Sequence, residues 1–140
     1  MRSPIVPLLL TPEARSTAGV LLLTLVAVES GGWFMLRVMR GQRPATEFQR
    51  AFFRAGHAHA GVLVILSLVA QLLAGAASLS GMAALLSNGI WAAAILMPAG
   101  FFLSATGRDR NRPNQLIILV YAGAIALALG VISLGLGLLV

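Results

Sequence analysis

The sequence predicts an all-α fold, a polytopic membrane bundle of four helices arranged as two helical hairpins. Hydrophobic residues make up 59% of the 140 residues and charged residues only 10%, whereas a soluble domain carries about 25% charged residues. Four apolar stretches are long enough to cross the hydrocarbon core of a bilayer, which takes roughly 20 helical residues. We therefore expect a single transmembrane domain over residues 1–140.

The four predicted helices lie near residues 17–36, 56–77, 82–104 and 116–140. The first resembles a cleavable signal peptide, because Val28-Glu29-Ser30 loosely fits a small-residue cleavage rule. Cleavage there would leave five arginines of the next loop outside, against the positive-inside rule, so we expect a retained helix. Thr46-Glu-Phe-Gln49 fits a capping box, which predicts that the second helix begins before the membrane.

The arginines predict the orientation in the membrane. Eight of them fall in the first and third loops, and only Arg2 and Arg15 fall on the other side. The positive-inside rule then predicts a cytoplasmic (inner) membrane protein with cytoplasmic arginine-rich loops and both termini outside. The net charge of +6 does not indicate a nucleic-acid partner, because the basic residues cluster at helix ends.

Three glycines of the fourth helix recur every seven residues, at Gly123, Gly130 and Gly137. Small residues at helical spacing let two membrane helices approach closely. They predict a packing face on this helix, either within the bundle or in a homodimer.

Four polar side chains are expected in the cytoplasmic half of the bilayer. At 1.5 Å per residue from the nearest boundary arginine, Glu29 and Tyr121 lie about 12 and 13 Å deep, and His57 and His59 about 4.5 and 7.5 Å. Ionisable groups at such depths are costly and are candidates for function. Because Glu29 and His59 differ little in depth, we expect a buried polar cluster built on Glu29 with His59 or His57.

The predicted cluster has three interpretations. It can be a hydrogen-bonded network that fixes helix packing, a proton or small-cation path that uses Glu29 and the histidines, or a haem or metal site. Residues two apart on a helix point about 200° away from each other, so His57 and His59 cannot chelate one ion together. Only one of them would be a ligand, and we predict no cofactor, with haem or a metal ion left as an alternative.

A second group of residues is expected at the lipid headgroups. Phe48, Phe52 and Phe53 alternate with Arg50 and Arg54 at the start of the second helix. Rings at headgroup depth beside arginines that reach lipid phosphate are typical of an interfacial turn. Arg37, at the end of the first helix, is expected at the same interface.

The stretch Phe52-Phe-Arg-Ala-Gly-His-Ala-His-Ala-Gly-Val-Leu resembles a family of small four-helix actinobacterial membrane proteins for which no activity is known. Val28-Glu-Ser-Gly-Gly-Trp-Phe and Met97-Pro-Ala-Gly-Phe-Phe-Leu resemble the same family. The resemblance implies the fold but no reaction, cofactor or partner.

The sequence favours a structural or accessory component of a membrane assembly. No nucleophile elbow, metalloprotease helix or carboxylate pair is present, so we do not expect an enzyme. We expect contact with the lipid bilayer and either a homo-oligomer or a larger membrane complex. Proton or cation transport and haem- or metal-dependent redox chemistry stay open as alternatives.

Overall fold

The computed structural model describes residues 12–139, all of whose regular elements are helical. Arg2 and residue 140, the expected end of the fourth helix, lie outside the described residues. The elements are α1 (Pro12–Met39), α2 (Glu47–Ala76), α3 (Gly81–Ser87), α4 (Gly89–Ser104), a 3-10 turn (Gln115–Ile117) and α5 (Ile118–Leu139).

Four helical segments are long and apolar enough to cross a membrane, as the sequence predicts. They are Ala14–Met39, Glu47–Ala76, Gly81–Ser104 and Gln115–Leu139. The described chain is thus that of a multi-pass membrane protein with a four-helix bundle.

Two helices begin earlier in the chain than the apolar stretches that predict them. The first is already helical at Pro12, where the described residues begin, rather than from near residue 17; proline is tolerated in a first helical turn, where its missing amide hydrogen leaves nothing unpaired. The second starts at Glu47, and the predicted capping box is confirmed. The Thr46 hydroxyl accepts a hydrogen bond from the Gln49 backbone at 3.1 Å, and the Gln49 side chain accepts one from the Thr46 backbone at 3.1 Å.

The third span is interrupted, a break that its continuous apolar sequence does not predict. The regular helix breaks at Asn88, between α3 and α4. At the next residue, a side-chain carbon on Gly89 would collide with the carbonyl oxygen of Ala126 on α5. The break therefore coincides with a very close approach of two helix backbones.

The glycine stripe packs within the bundle, which settles the alternative that the sequence left open. A side-chain carbon at Gly123 would lie 3.0 Å from the Met97 amide nitrogen, and one at Gly130 would lie 2.8 Å from that of Ile90. Gly137 packs against Leu79. From the other side, Gly100 of α4 faces Val120 in the same way. The α4–α5 contact is thus a glycine-lined interface of the small-residue type.

All six phenylalanines gather at the arginine-rich end of the bundle. The ring pairs are Phe34–Phe53, Phe53–Phe102, Phe52–Phe101 and Phe48–Phe52, with centroids 4.2–5.6 Å apart. Edge-on and offset ring pairs of this kind stabilise packing beyond the area that they bury. These rings connect α1, α2 and α4, and Phe53 at their centre is buried.

The two arginine-rich loops lie at the same end of the bundle. The Thr46 hydroxyl donates to the carbonyl oxygen of Arg110, and the Gln49 amide donates to the carbonyl oxygens of Ala105 and Gly107 at 2.9 and 2.8 Å. These bonds join the start of α2 to the loop that follows α4.

Among the long helices of the described chain, α1 packs on the fewest neighbours. Among the described elements, its backbone approaches α2 alone, whereas α2 also packs on α4 and α4 on α5. Leu21, Met35 and Val38 are buried on the side of α1 that faces the bundle. The opposite side of the helix remains exposed.

Candidate functional site

His57 fits into a notch on α1 made by two glycines. A side-chain carbon added at Gly32 would lie 3.3 Å from His57 Cε1 and 3.4 Å from Nε2, and one at Gly31 would lie 3.5 Å from Nδ1. The polar edge of the imidazole therefore rests against the backbone of α1. The ring fits where α1 carries no side chains: one added carbon would be a tight contact at Gly32 and an ordinary one at Gly31.

His59 contacts a different helix. Its Nδ1 atom donates to the carbonyl oxygen of Ala55 at 2.7 Å, which requires a proton on Nδ1. Its ring lies 4.9 Å from that of Phe101 on α4, at 34°. The two histidines thus point to different helices, as the 200° separation on a helix predicts.

The buried cluster of Glu29 with His59 or His57 is wrong. Glu29 is exposed on α1, and no described ion pair or hydrogen bond joins it to either histidine. Matched depth did not bring the groups together, because depth says nothing of how a helix is rotated about its axis. The bundle-facing side of α1 runs through Leu21 and Met35, and the carboxylate lies away from it.

Tyr121 is not part of a site with the other three residues. It is exposed on α5, a helix that does not approach α1 among the described elements. Within residues 12–139, apart from the side chain of Glu13, no three histidine, cysteine or acidic side chains group closely enough to hold a metal ion. Proton or cation transport and haem or metal binding therefore stay predictions, without a shared geometry of these side chains behind them.

A groove of about 490 Å³ opens between α1 and α4, with α2 as its floor. His57 and Gly31 line it together with Thr24, Trp91 and Ile95, and most of its other walls are aliphatic. The indole nitrogen of Trp91 donates to the side-chain oxygen of Asn88 at 3.2 Å. The groove lies where the backbone of α1 approaches α2 but not α4.

Two of the three predicted interface arginines line the same cleft. Arg50 and Arg54 line a cleft of about 420 Å³ between the end of α1 and the start of α2. Arg37 is not among the residues that line this cleft. The arginine pair, rather than the trio, is the unit that the structure brings together.

Sequence reasoning missed the second role of Gln49. Its side chain is buried and donates to the carbonyl oxygens of Ala105, which caps α4, and of Gly107 in the loop that follows. The capping box was the only local signal, and the two acceptors lie 56 and 58 residues further along the chain.

Compared with models of known protein families, with curated proteins and with solved structures, the chain matches none. The family resemblance of the His-Ala-His segment stays a prediction from its motifs.

Proposed function

We propose that this protein is a structural component of a membrane assembly and that it associates with a second copy of itself through the exposed face of α1. The observation that carries the proposal is the position of Glu29. It lies near the middle of the Ala14–Met39 span and is exposed, with no described partner. A charged side chain at the centre of a bilayer costs roughly 2.5–3.5 kcal/mol on insertion scales, so such a group is expected to find a partner.

The residues around Glu29 follow the spacing of a helix–helix seam. Exposed residues recur at alternating intervals of three and four along α1, and they are Gly19, Leu22, Val26, Glu29, Trp33 and Leu36. This a/d spacing is the one by which two helices wind around each other. A single polar residue in such a seam selects register and partner number at some cost in stability.

In a second copy inserted in the same orientation, Glu29 lies at the same depth in the membrane as in the first. Two copies inserted in the same orientation and related by a two-fold axis place their Glu29 carboxyls opposite each other. The two carboxyl groups then lie within hydrogen-bonding reach of each other across the axis. Each Glu29 carboxyl group then has a polar partner, which the surrounding lipid does not provide.

The orientation follows the arginines. We place the arginine-rich loops in the cytoplasm and both termini outside, in the inner membrane, because eight arginines sit at that end. A two-fold axis along the membrane normal keeps this orientation for both copies.

The chain has no cysteine, so single introduced cysteines test the interface directly. Val26→Cys lies on the α1 seam, and Ile132→Cys on α5 is its control. Val26 and Ile132 are both β-branched and are 65% and 58% exposed. Seam positions of paired helices come within the 4.4–6.8 Å between Cα atoms that a disulfide needs.

We expect Val26→Cys to form disulfide dimers in oxidised native membranes and Ile132→Cys to form few. Adding Glu29→Leu should reduce the Val26 dimer, while Glu29→Gln, which still forms hydrogen bonds, should keep it. Equal cross-linking at Val26 and Ile132 would show random collision and reject the interface. Full cross-linking with Glu29→Leu would reject the carboxyl pair.

A further inference from the structure

The cleft between the end of α1 and the start of α2 combines two kinds of surface. Met35, Val38 and Met39 form an apolar wall, and Arg50 and Arg54 bring two guanidinium groups to the same space. The cleft has a volume of about 420 Å³ and is open to its surroundings. Aliphatic side chains beside two cations suit a ligand that is itself amphiphilic.

The two arginines act from one face of one helix. They are four residues apart, so they are neighbours on the surface of α2. Both are exposed, and Arg50 donates to the carbonyl oxygen of Ala45 at 3.0 Å, which holds its side chain beside the turn. A guanidinium fork is suited to a phosphate group, which it binds through two parallel hydrogen bonds.

The positive charge of the cleft is not cancelled from within. Glu47 also lines the cleft, but within residues 12–139 no ion pair joins it to either arginine. Two cations therefore face one carboxylate, and the net charge of the lining is positive. An anionic headgroup is favoured over a zwitterionic one, whose ammonium group the arginines would repel.

The apolar wall distinguishes a lipid from a free phosphate. Met39 is 67% exposed, and Val38 and Met35 are buried behind it, at the boundary where α1 leaves its apolar span. A free phosphate would contact only the guanidinium groups. A glycerophospholipid places its phosphate between the arginines and covers the exposed methionine with an acyl chain, which adds apolar burial.

We propose that this cleft is a binding site for one anionic glycerophospholipid, held by Arg50 and Arg54 through its phosphate and by Met39 through an acyl chain. The site is independent of the α1 seam, because none of the seam residues lines the cleft. A protein that does not dimerise can still bind the lipid, and a protein that does not bind the lipid can still dimerise.

The test uses the full chain, purified in detergent, with native mass spectrometry of bound lipid. The probes are phosphatidylglycerol, phosphatidylcholine with the same acyl chains, and inorganic phosphate. The variant Arg50→Gln/Arg54→Gln is matched by Arg40→Gln/Arg43→Gln, which removes the same charge from the neighbouring loop, outside the cleft. Each variant is first checked for parental helix content and thermal stability without lipid.

We expect the parent to prefer phosphatidylglycerol over phosphatidylcholine by about tenfold, the effect of one good charge-assisted contact. The cleft variant should lose this preference and the control variant should keep it. Met39→Ser should weaken phosphatidylglycerol binding without changing the response to inorganic phosphate.

Three results overturn the proposal. The first is an equal loss of the phosphatidylglycerol preference in the control variant, and the second is equal binding of the two lipids by the parent. The third is stabilisation of the parent by inorganic phosphate that equals its stabilisation by phosphatidylglycerol. If the cleft variant does not fold, Arg50→Lys/Arg54→Lys decides, since it keeps both charges and removes the guanidinium forks. The lysine pair should lower the preference, and an unchanged preference also overturns the site.

Discussion

The glycine stripe of α5 gives a prediction whose size follows from the structure. Gly130→Ala adds a carbon 2.8 Å from the Ile90 amide nitrogen and 3.2 Å from the carbonyl carbon of Gly89. Ordinary contacts begin at 3.4 Å, so the nearest backbone atom is about 0.6 Å too close and the two helices must separate. Overpacking of this kind costs about 1–3 kcal/mol.

Gly135→Ala is a control on the same helix. Nothing lies within 4 Å of a side-chain carbon at Gly135, so this variant carries only the helix-propensity gain of alanine, about 0.5–1 kcal/mol. Because both variants share that gain, the difference between their free energies of unfolding isolates the overpacking. We expect Gly130→Ala to be less stable than Gly135→Ala by about 2 kcal/mol.

The measurement is reversible unfolding in mixed detergent micelles, followed by far-UV circular dichroism and repeated at several protein concentrations. The concentration series separates stability of the bundle from association. If Gly130→Ala is as stable as Gly135→Ala, α4 and α5 do not pack through this stripe. If only association changes, the stripe is a contact between copies instead, and the packing described above is wrong.

Three further predictions use the same unfolding measurement. Gln49→Ala should lower the free energy of unfolding by about 1–3 kcal/mol, because it leaves the carbonyl groups of Ala105 and Gly107 without this partner. The exposed Gln42→Ala is the control and should stay within about 0.5 kcal/mol of the parent. Equal effects of the two substitutions would contradict the role of Gln49 as a cap. Gly32→Leu should destabilise the bundle by displacing the His57 ring, and adding His57→Ala should restore part of the lost stability. The coupling between the two substitutions in the free energy of unfolding should be about 0.5–3 kcal/mol. Additive losses would mean that the notch does not hold the ring. Phe53→Ala should cost about 3–5 kcal/mol, and a loss under about 1 kcal/mol would contradict its place at the centre of the aromatic rings.

What the sequence predicted well depends on local patterns. The four apolar spans follow from composition and length, and the capping box follows from the chemistry of Thr46 and Gln49 three residues apart. Both arginine-rich loops were expected at one end, and the hydrogen bond from Thr46 to Arg110 joins them there. Each of these inferences needs only residues that are neighbours along the chain, or a count of residues between loops.

What the sequence could not provide is the rotation of each helix about its axis. The depth of Glu29 was calculated from the rise per residue, yet the partner of the His57 ring on α1 is the Gly31-Gly32 notch. In the same way, nothing local shows that Phe53 meets both Phe34 and Phe102. These contacts depend on long-range packing, which hydropathy does not encode when every face of a helix is apolar.

The order of packing has a consequence for how the chain is made. Of the described helices α1 is synthesised first, and its backbone approaches α2 alone, whereas α2 also packs on α4. The amide of Gln49 finds its acceptors only after residues 105 and 107 have been synthesised. Insertion and assembly are therefore separated in time. A truncated chain that ends after α2 should insert into the membrane but stay susceptible to quality-control proteases. Once α4 and α5 have been synthesised, they complete the bundle with the helices that have already inserted.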